Sequence, residues 1–144
     1  MSLFDVNDLI SIKLYYMIKP TDTGNKLLVL EDEKAKELLK NPEKSKEIEL
    51  LETKWRSITW RESNEVMEEA TKSTNLSTGD KQFNFVQYRD SVIKRCLKEW
   101  NLKENNIPVP VTPQNIDRLP AKVIMNLYSK FDTLIDYNED ELGK

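Results

Sequence analysis

Apolar side chains recur at three- and four-residue steps in two stretches: Phe85, Tyr88, Val92, Ile93, Cys96, Leu97 and Trp100, then Val123, Ile124, Leu127, Tyr128, Phe131, Leu134 and Ile135. Such spacing gathers each set on one face of a helix, so the pattern predicts two amphipathic helices around the segment Phe83 to Phe131. Arg89, Asp90, Lys94, Arg95, Lys98 and Glu99 fall mainly between the apolar positions of the first helix and form its wet side. Two faces returned on each other by a short connector are most simply buried together. The core predicted from them is Tyr88, Val92, Cys96, Trp100, Val123, Leu127 and Phe131.

The connector has its own logic. Asn101, Asn105 and Asn106 favour turns, while Pro108 and Pro110 remove amide donors and push each preceding residue to extended geometry. Thr112 reads as an N-cap with Pro113 at the first helical position, and Val111 and Ile116 occupy the two positions of a hydrophobic staple. Pro120 interrupts soon after, leaving Pro113 to Arg118 as one short helical turn and opening the next helix.

Upstream the period changes. Ile12 to Ile18 is rich in β-branched and aromatic residues and reads as a strand, Pro20 to Asn25 as a turn, and Leu27 to Leu30 as a returning strand. An isolated strand pair is marginal, so this hairpin needs a helix or another chain to lean on. Residues 1–11 fit either a helical turn or an extended arm. Glu31 to Lys40 reads as a helix ended by Asn41-Pro42, and the charged stretch Glu43 to Glu49 leads into Leu50, Leu51, Trp55 and Ile58. Both charge runs read as solvated faces. Thr59-Trp60-Arg61-Glu62 fits a capping box, starting a helix that runs through Val66, Met67 and Ala70 to about Lys72, before the polar loop Ser73 to Lys81. The expected fold is mainly α: a small helical bundle over 31–137, an N-terminal strand, hairpin or extended arm over 1–30, and an acidic flexible tail over 138–144.

Composition narrows the function classes. The chain has 144 residues, 33% charged and 38% apolar, with a net charge of −3. A helical domain with a modest core suits that balance, and an acidic chain lacks the basic field that nonspecific nucleic-acid binding needs. No stretch approaches the roughly 20 apolar residues of a membrane span, and no secretory leader is evident. The lone Cys96 reads as a small buried hydrophobe in a reducing compartment. With no histidine, the usual proton-transfer triads and most zinc sites are excluded, and Gly24, Gly79 and Gly143 are too scattered for a phosphate loop. The expectation is therefore a protein that is not an enzyme and needs no cofactor or metal. Trp100 reads as core; Trp60, on the first turn of its helix, reads equally as core or interface. Candidate interaction residues are Trp60, Met67, Tyr15 and Met17, and the N-terminal strand and Leu50-Leu51 are candidates for pairing with another chain.

Cys96-Leu97-Lys98-Glu99-Trp100-Asn101-Leu102, then Val109-Pro110-Val111-Thr112-Pro113-Gln114-Asn115-Ile116-Asp117-Arg118-Leu119-Pro120, resembles the C-terminal half of the tail assembly chaperones of long-tailed bacteriophages. Ile58-Thr59-Trp60-Arg61-Glu62-Ser63-Asn64-Glu65 looks like a helix start found earlier in such proteins. Asn105-Asn106 departs from the family, in which a glycine turn is common there. The resemblance implies a helical, non-enzymatic protein that binds the tape measure protein and keeps it soluble while tail tube subunits polymerise. It places the chain in the host cytoplasm during virus assembly, with tape measure and tail tube proteins as partners and a homo-oligomer compatible. The alternative is a structural virion protein, an adaptor or tail-tip subunit retained in the mature tail.

Overall fold

A computed structural model describes residues 9–72, 79 and 82–135. Among these, 46% are helical and 29% lie in strands, so the fold is mixed α/β and corrects the expected mainly helical bundle. Residues 1–8, most of the Ser73 to Lys81 loop and the acidic tail lie outside the described residues.

The sheet has four antiparallel strands in the order β2-β1-β3-β4. Strands β1 (Ile10–Thr21) and β2 (Gly24–Leu30) form the expected hairpin, turning at Asp22-Thr23. They are no free arm, because β1 also pairs with β3 (Glu49–Trp55), from Ile10↔Trp55 to Tyr16↔Glu49. The physical reason is written in β3, where Leu51, Thr53 and Trp55 are buried and Glu52 and Lys54 are exposed. That period of two gives a strand one face for a core. Leu50-Leu51 is thus paired within its own chain.

Both faces of the sheet are covered. Ile12, Leu14, Leu51 and Trp55 share the larger core with Val66, Val92, Ile93, Cys96, Val123, Leu127 and Phe131. On the opposite face Met17 and Leu30 pack with Ala35 of α1 (Asp32–Leu39), and Tyr15 and Leu38 border them. A short α2 (Pro42–Ser45), capped by the Asn41 side chain, leads to β3. The charged helix α1 therefore closes one side of the sheet through its few apolar positions.

Helix α3 (Trp60–Ala70) starts at the anticipated capping box: Thr59 Oγ1 accepts from the Glu62 amide and the Glu62 carboxylate accepts from the Thr59 amide. Helix α4 (Phe85–Cys96) ends four residues before the sequence pattern does, and Leu97–Trp100 becomes edge strand β4. Its pairing, Trp55↔Leu97 then Lys54↔Glu99, skips Lys98 as a bulge. In a regular strand Leu97 and Trp100 would face opposite sides; the extra residue lets both pack on the same core. A three-residue step that reads as helical is thereby satisfied by a strand.

A two-stranded ribbon, β5 (Lys103–Glu104) and β6 (Ile107–Pro108), follows, turning through Asn105 and Asn106 at φ 53° and 63°. Left-handed geometry at both turn positions suits asparagine better than most residues. Helix α5 (Pro113–Asp117) has Thr112 as its N-cap, accepting from the Asn115 amide, and α6 (Ala121–Ile135) opens just after Pro120. The apolar faces of α4 and α6 do not simply close over each other. Instead α6 lies along β1 and α4 along α3, and both contribute to a core floored by the sheet. No helix among the described residues is long and apolar enough to cross a membrane.

Candidate protein-binding surface

Where α4 and α6 diverge, a cleft of about 250 Å³ opens between them, with the end of α5 as its third wall. Val86 and Ile93 line it from α4, Ile116 and Leu119 from α5 and its exit, and Ala121, Ile124 and Met125 from α6. Val86 and Ile93 stand two helical turns apart on one flank. Val86 and Met125 at the mouth are 63% and 51% exposed, whereas Ile93 and Ile116 at the base are buried. The cleft thus has an apolar base and a mixed rim, where Arg89, Asp90 and Asp117 stand among the exposed apolar side chains.

Its framework is fixed by charge. Lys94 Nζ lies 3.0 Å from Asp90 Oδ2 and 2.9 Å from Asp117 Oδ1, tying α4 to α5 beside the cleft. The bond to Asp117 is the main reason the lysine's affinity for its proton is raised. Next to the mouth, Phe83 and Phe85 flank Tyr88 with ring centroids 5.6 and 6.4 Å away, and the Arg89 guanidinium stands 5.7 Å from the centre of the Phe85 ring. Both phenylalanines are about half exposed, so the apolar surface continues beyond the cleft along the start of α4.

Trp60 and Met67 make a second surface on one side of α3, two turns apart, at 81% and 44% exposure. Behind them, Arg56 makes a two-pronged bond to Glu62, with Nη1 to Oε1 at 2.7 Å, and Arg95 reaches Glu65 at 2.7 Å and Glu69 at 3.3 Å. The Arg56 bond holds the Glu62 carboxyl down at about 2. These ion pairs clamp α3 to the end of β3 and to α4, presenting Trp60 on a rigid element.

The other two residues proposed for interaction are elsewhere. Met17 is only 4% exposed, closed under α1, and Tyr15 is half-buried beside it, so neither joins Trp60 and Met67 on a common surface. Of the predicted core, Val92, Cys96, Val123, Leu127 and Phe131 are buried, while Tyr88 and Trp100 are half-buried at its margin. Trp100 donates its indole N–H to the Val109 carbonyl at 2.6 Å, anchoring the proline-rich connector. Burial pushes the Cys96 thiol up to about 11, keeping it protonated. Sequence reasoning missed Val86 and Met125 as surface candidates. Their signal was positional: Val86 lies two turns before Ile93 on the same flank of its helix's stripe, and Met125 is an apolar residue just outside the stripe of α6.

Among the described residues, no group of three or more Cys, Asp or Glu side chains is placed to hold a metal ion. No family model, curated protein or solved structure matches the chain.

Proposed function

We propose that this protein is a non-enzymatic tail assembly chaperone of a long-tailed bacteriophage, whose cleft holds apolar stripes of the tape measure protein while tube subunits polymerise around it. The supporting observation is the cleft between α4 and α6, whose buried base is apolar and whose rim sets exposed Val86 and Met125 beside the charged Arg89, Asp90 and Asp117. An amphipathic helix laid in such a groove buries side chains at i, i+3 or i+4 and i+7, the spacing of an apolar stripe. With the mainly helical fold overturned, the remaining support is this surface together with the motifs around Trp60, Trp100 and Thr112-Pro113 that resemble the family. The work would be done in the host cytoplasm during assembly.

Co-expression with the tape measure protein from the same genome, followed by affinity capture, tests the reading. Capture that survives both Val86→Glu and Met125→Glu in folded protein would count against the cleft. Mass spectrometry of purified virions separates this role from a structural one. A chaperone is absent from mature particles, whereas fixed stoichiometry there would favour a tail or tail-tip subunit.

A further inference from the structure

Among the cations of α4, Arg89 stands apart. Lys94 and Arg95 on the same helix each hold carboxylates from other elements. Arg89 is half-buried in the lining of the cleft, yet it makes no ion pair and no side-chain hydrogen bond with any described residue. Its guanidinium stands over the Phe85 ring, a contact that leaves the N–H donors unengaged.

Helical geometry fixes the side it takes. At about 100° per residue, Arg89 falls on one side of the line from Val86 to Ile93, and Asp90 and Lys94 fall on the other. The second side is the α5 flank, where one ammonium serves both Asp90 and Asp117 and negative charge is in excess. The first is the α6 flank: burial pushes the Tyr128 hydroxyl's pKa up there, and the charge of Arg89 opposes that rise. Asp132, one turn beyond Tyr128, is outside the cleft lining and makes no ion pair with Arg89. The rim is therefore polarised across its width, with an apolar row between the two flanks.

Resting on the reading of the cleft as a helix-binding groove, we infer that its guest is an apolar stripe bordered on one side by a carboxylate, which Arg89 receives. A guest covering the mouth strips water from a half-buried guanidinium. An acidic border returns charge-assisted bonds in the planar fork that arginine offers, whereas a neutral one leaves the charge covered and unpaired. The same guest turned end for end would bring its acid to Asp90 and Asp117, so the polarised rim also sets direction.

Fluorescence anisotropy with the full chain and two labelled helical peptides tests this. Both peptides carry one leucine stripe at i, i+3 or i+4 and i+7, bordered on one side by glutamate in the first and glutamine in the second. The glutamate peptide is expected to bind about tenfold tighter at low salt. Arg89→Gln removes that advantage and Arg89→Glu inverts it, with far-ultraviolet circular dichroism unchanged in both. A glutamate advantage that persists in Arg89→Gln would overturn the inference, as would equal binding of the two peptides by the parent; the cleft reading survives either result if Val86→Glu still abolishes binding. If neither peptide binds, or binding survives both Val86→Glu and Met125→Glu, the cleft reading falls and the inference with it. A dimer in sedimentation velocity that Val86→Glu dissociates would give the cleft to a second copy and overturn both.

Discussion

The indole of Trp55 stacks on the ring of Phe131, with centroids 4.7 Å apart and planes inclined by 23°. Both side chains are fully buried, one from β3 and one from α6, so this contact joins the sheet to the last helix at the centre of the core. Phe131→Ala leaves a ring-sized cavity that the stacked indole cannot fill, and a loss of about 3–5 kcal/mol in chemical denaturation is expected. A loss under about 1 kcal/mol would mean that α6 is not held this way.

Beneath that pair runs a hydrogen-bond chain. Trp55 Nε1 donates to Thr53 Oγ1 at 2.8 Å, and Thr53 Oγ1 donates to the Ile12 carbonyl at 2.7 Å. Thr53→Val keeps the shape but strands the buried indole donor, so it destabilises by about 1–3 kcal/mol. Thr53→Ser keeps the hydroxyl, and its measured loss is the smaller of the two.

The clamp between Arg56 and Glu62 carries a pH dependence. The folded state holds the Glu62 carboxyl at about 2 against an ordinary 4.5, so it favours the ionised form. The resulting stability is complete above about pH 4.5 and is lost as pH falls through about 2. Glu62→Gln removes this contribution, lowering stability at neutral pH by about 2 kcal/mol and flattening the acid limb of the curve. Parallel acid limbs for parent and variant in thermal melts would contradict the assignment.

At the ribbon between β5 and β6, Asn106 holds φ 63°. Asn106→Gly is expected to be neutral or slightly stabilising, whereas Asn106→Val costs about 1–2 kcal/mol because a β-branched side chain resists left-handed geometry. Equal melting temperatures for the two variants would exclude this account.

The exposed aromatic on α3 separates binding from folding. Trp60 is 81% exposed, so Trp60→Ala leaves stability within about 0.5 kcal/mol. If α3 contributes to partner capture, recovery of the co-expressed tape measure protein falls in the same variant. Undiminished recovery would confine binding to the cleft between α4 and α6.

Local signals alone determined the helix starts at Thr59 and Thr112, the hairpin turn after Pro20 and the non-helical connector, because caps, prolines and turn residues act within a few positions of themselves. They also marked Cys96, Leu127 and Phe131 as apolar-face residues. Only the tertiary structure decided that Leu97–Trp100 leaves the helix, since its partners Thr53 to Trp55 lie more than forty residues away in sequence and a bulge at Lys98 reproduces a helical spacing in a strand. The same long-range pairing drew Leu50–Trp55 and the N-terminal hairpin into one sheet and carried Met17 beneath α1. Period and capping are properties of a segment, but strand pairing is a property of two segments, and no stretch of chain records its distant neighbour.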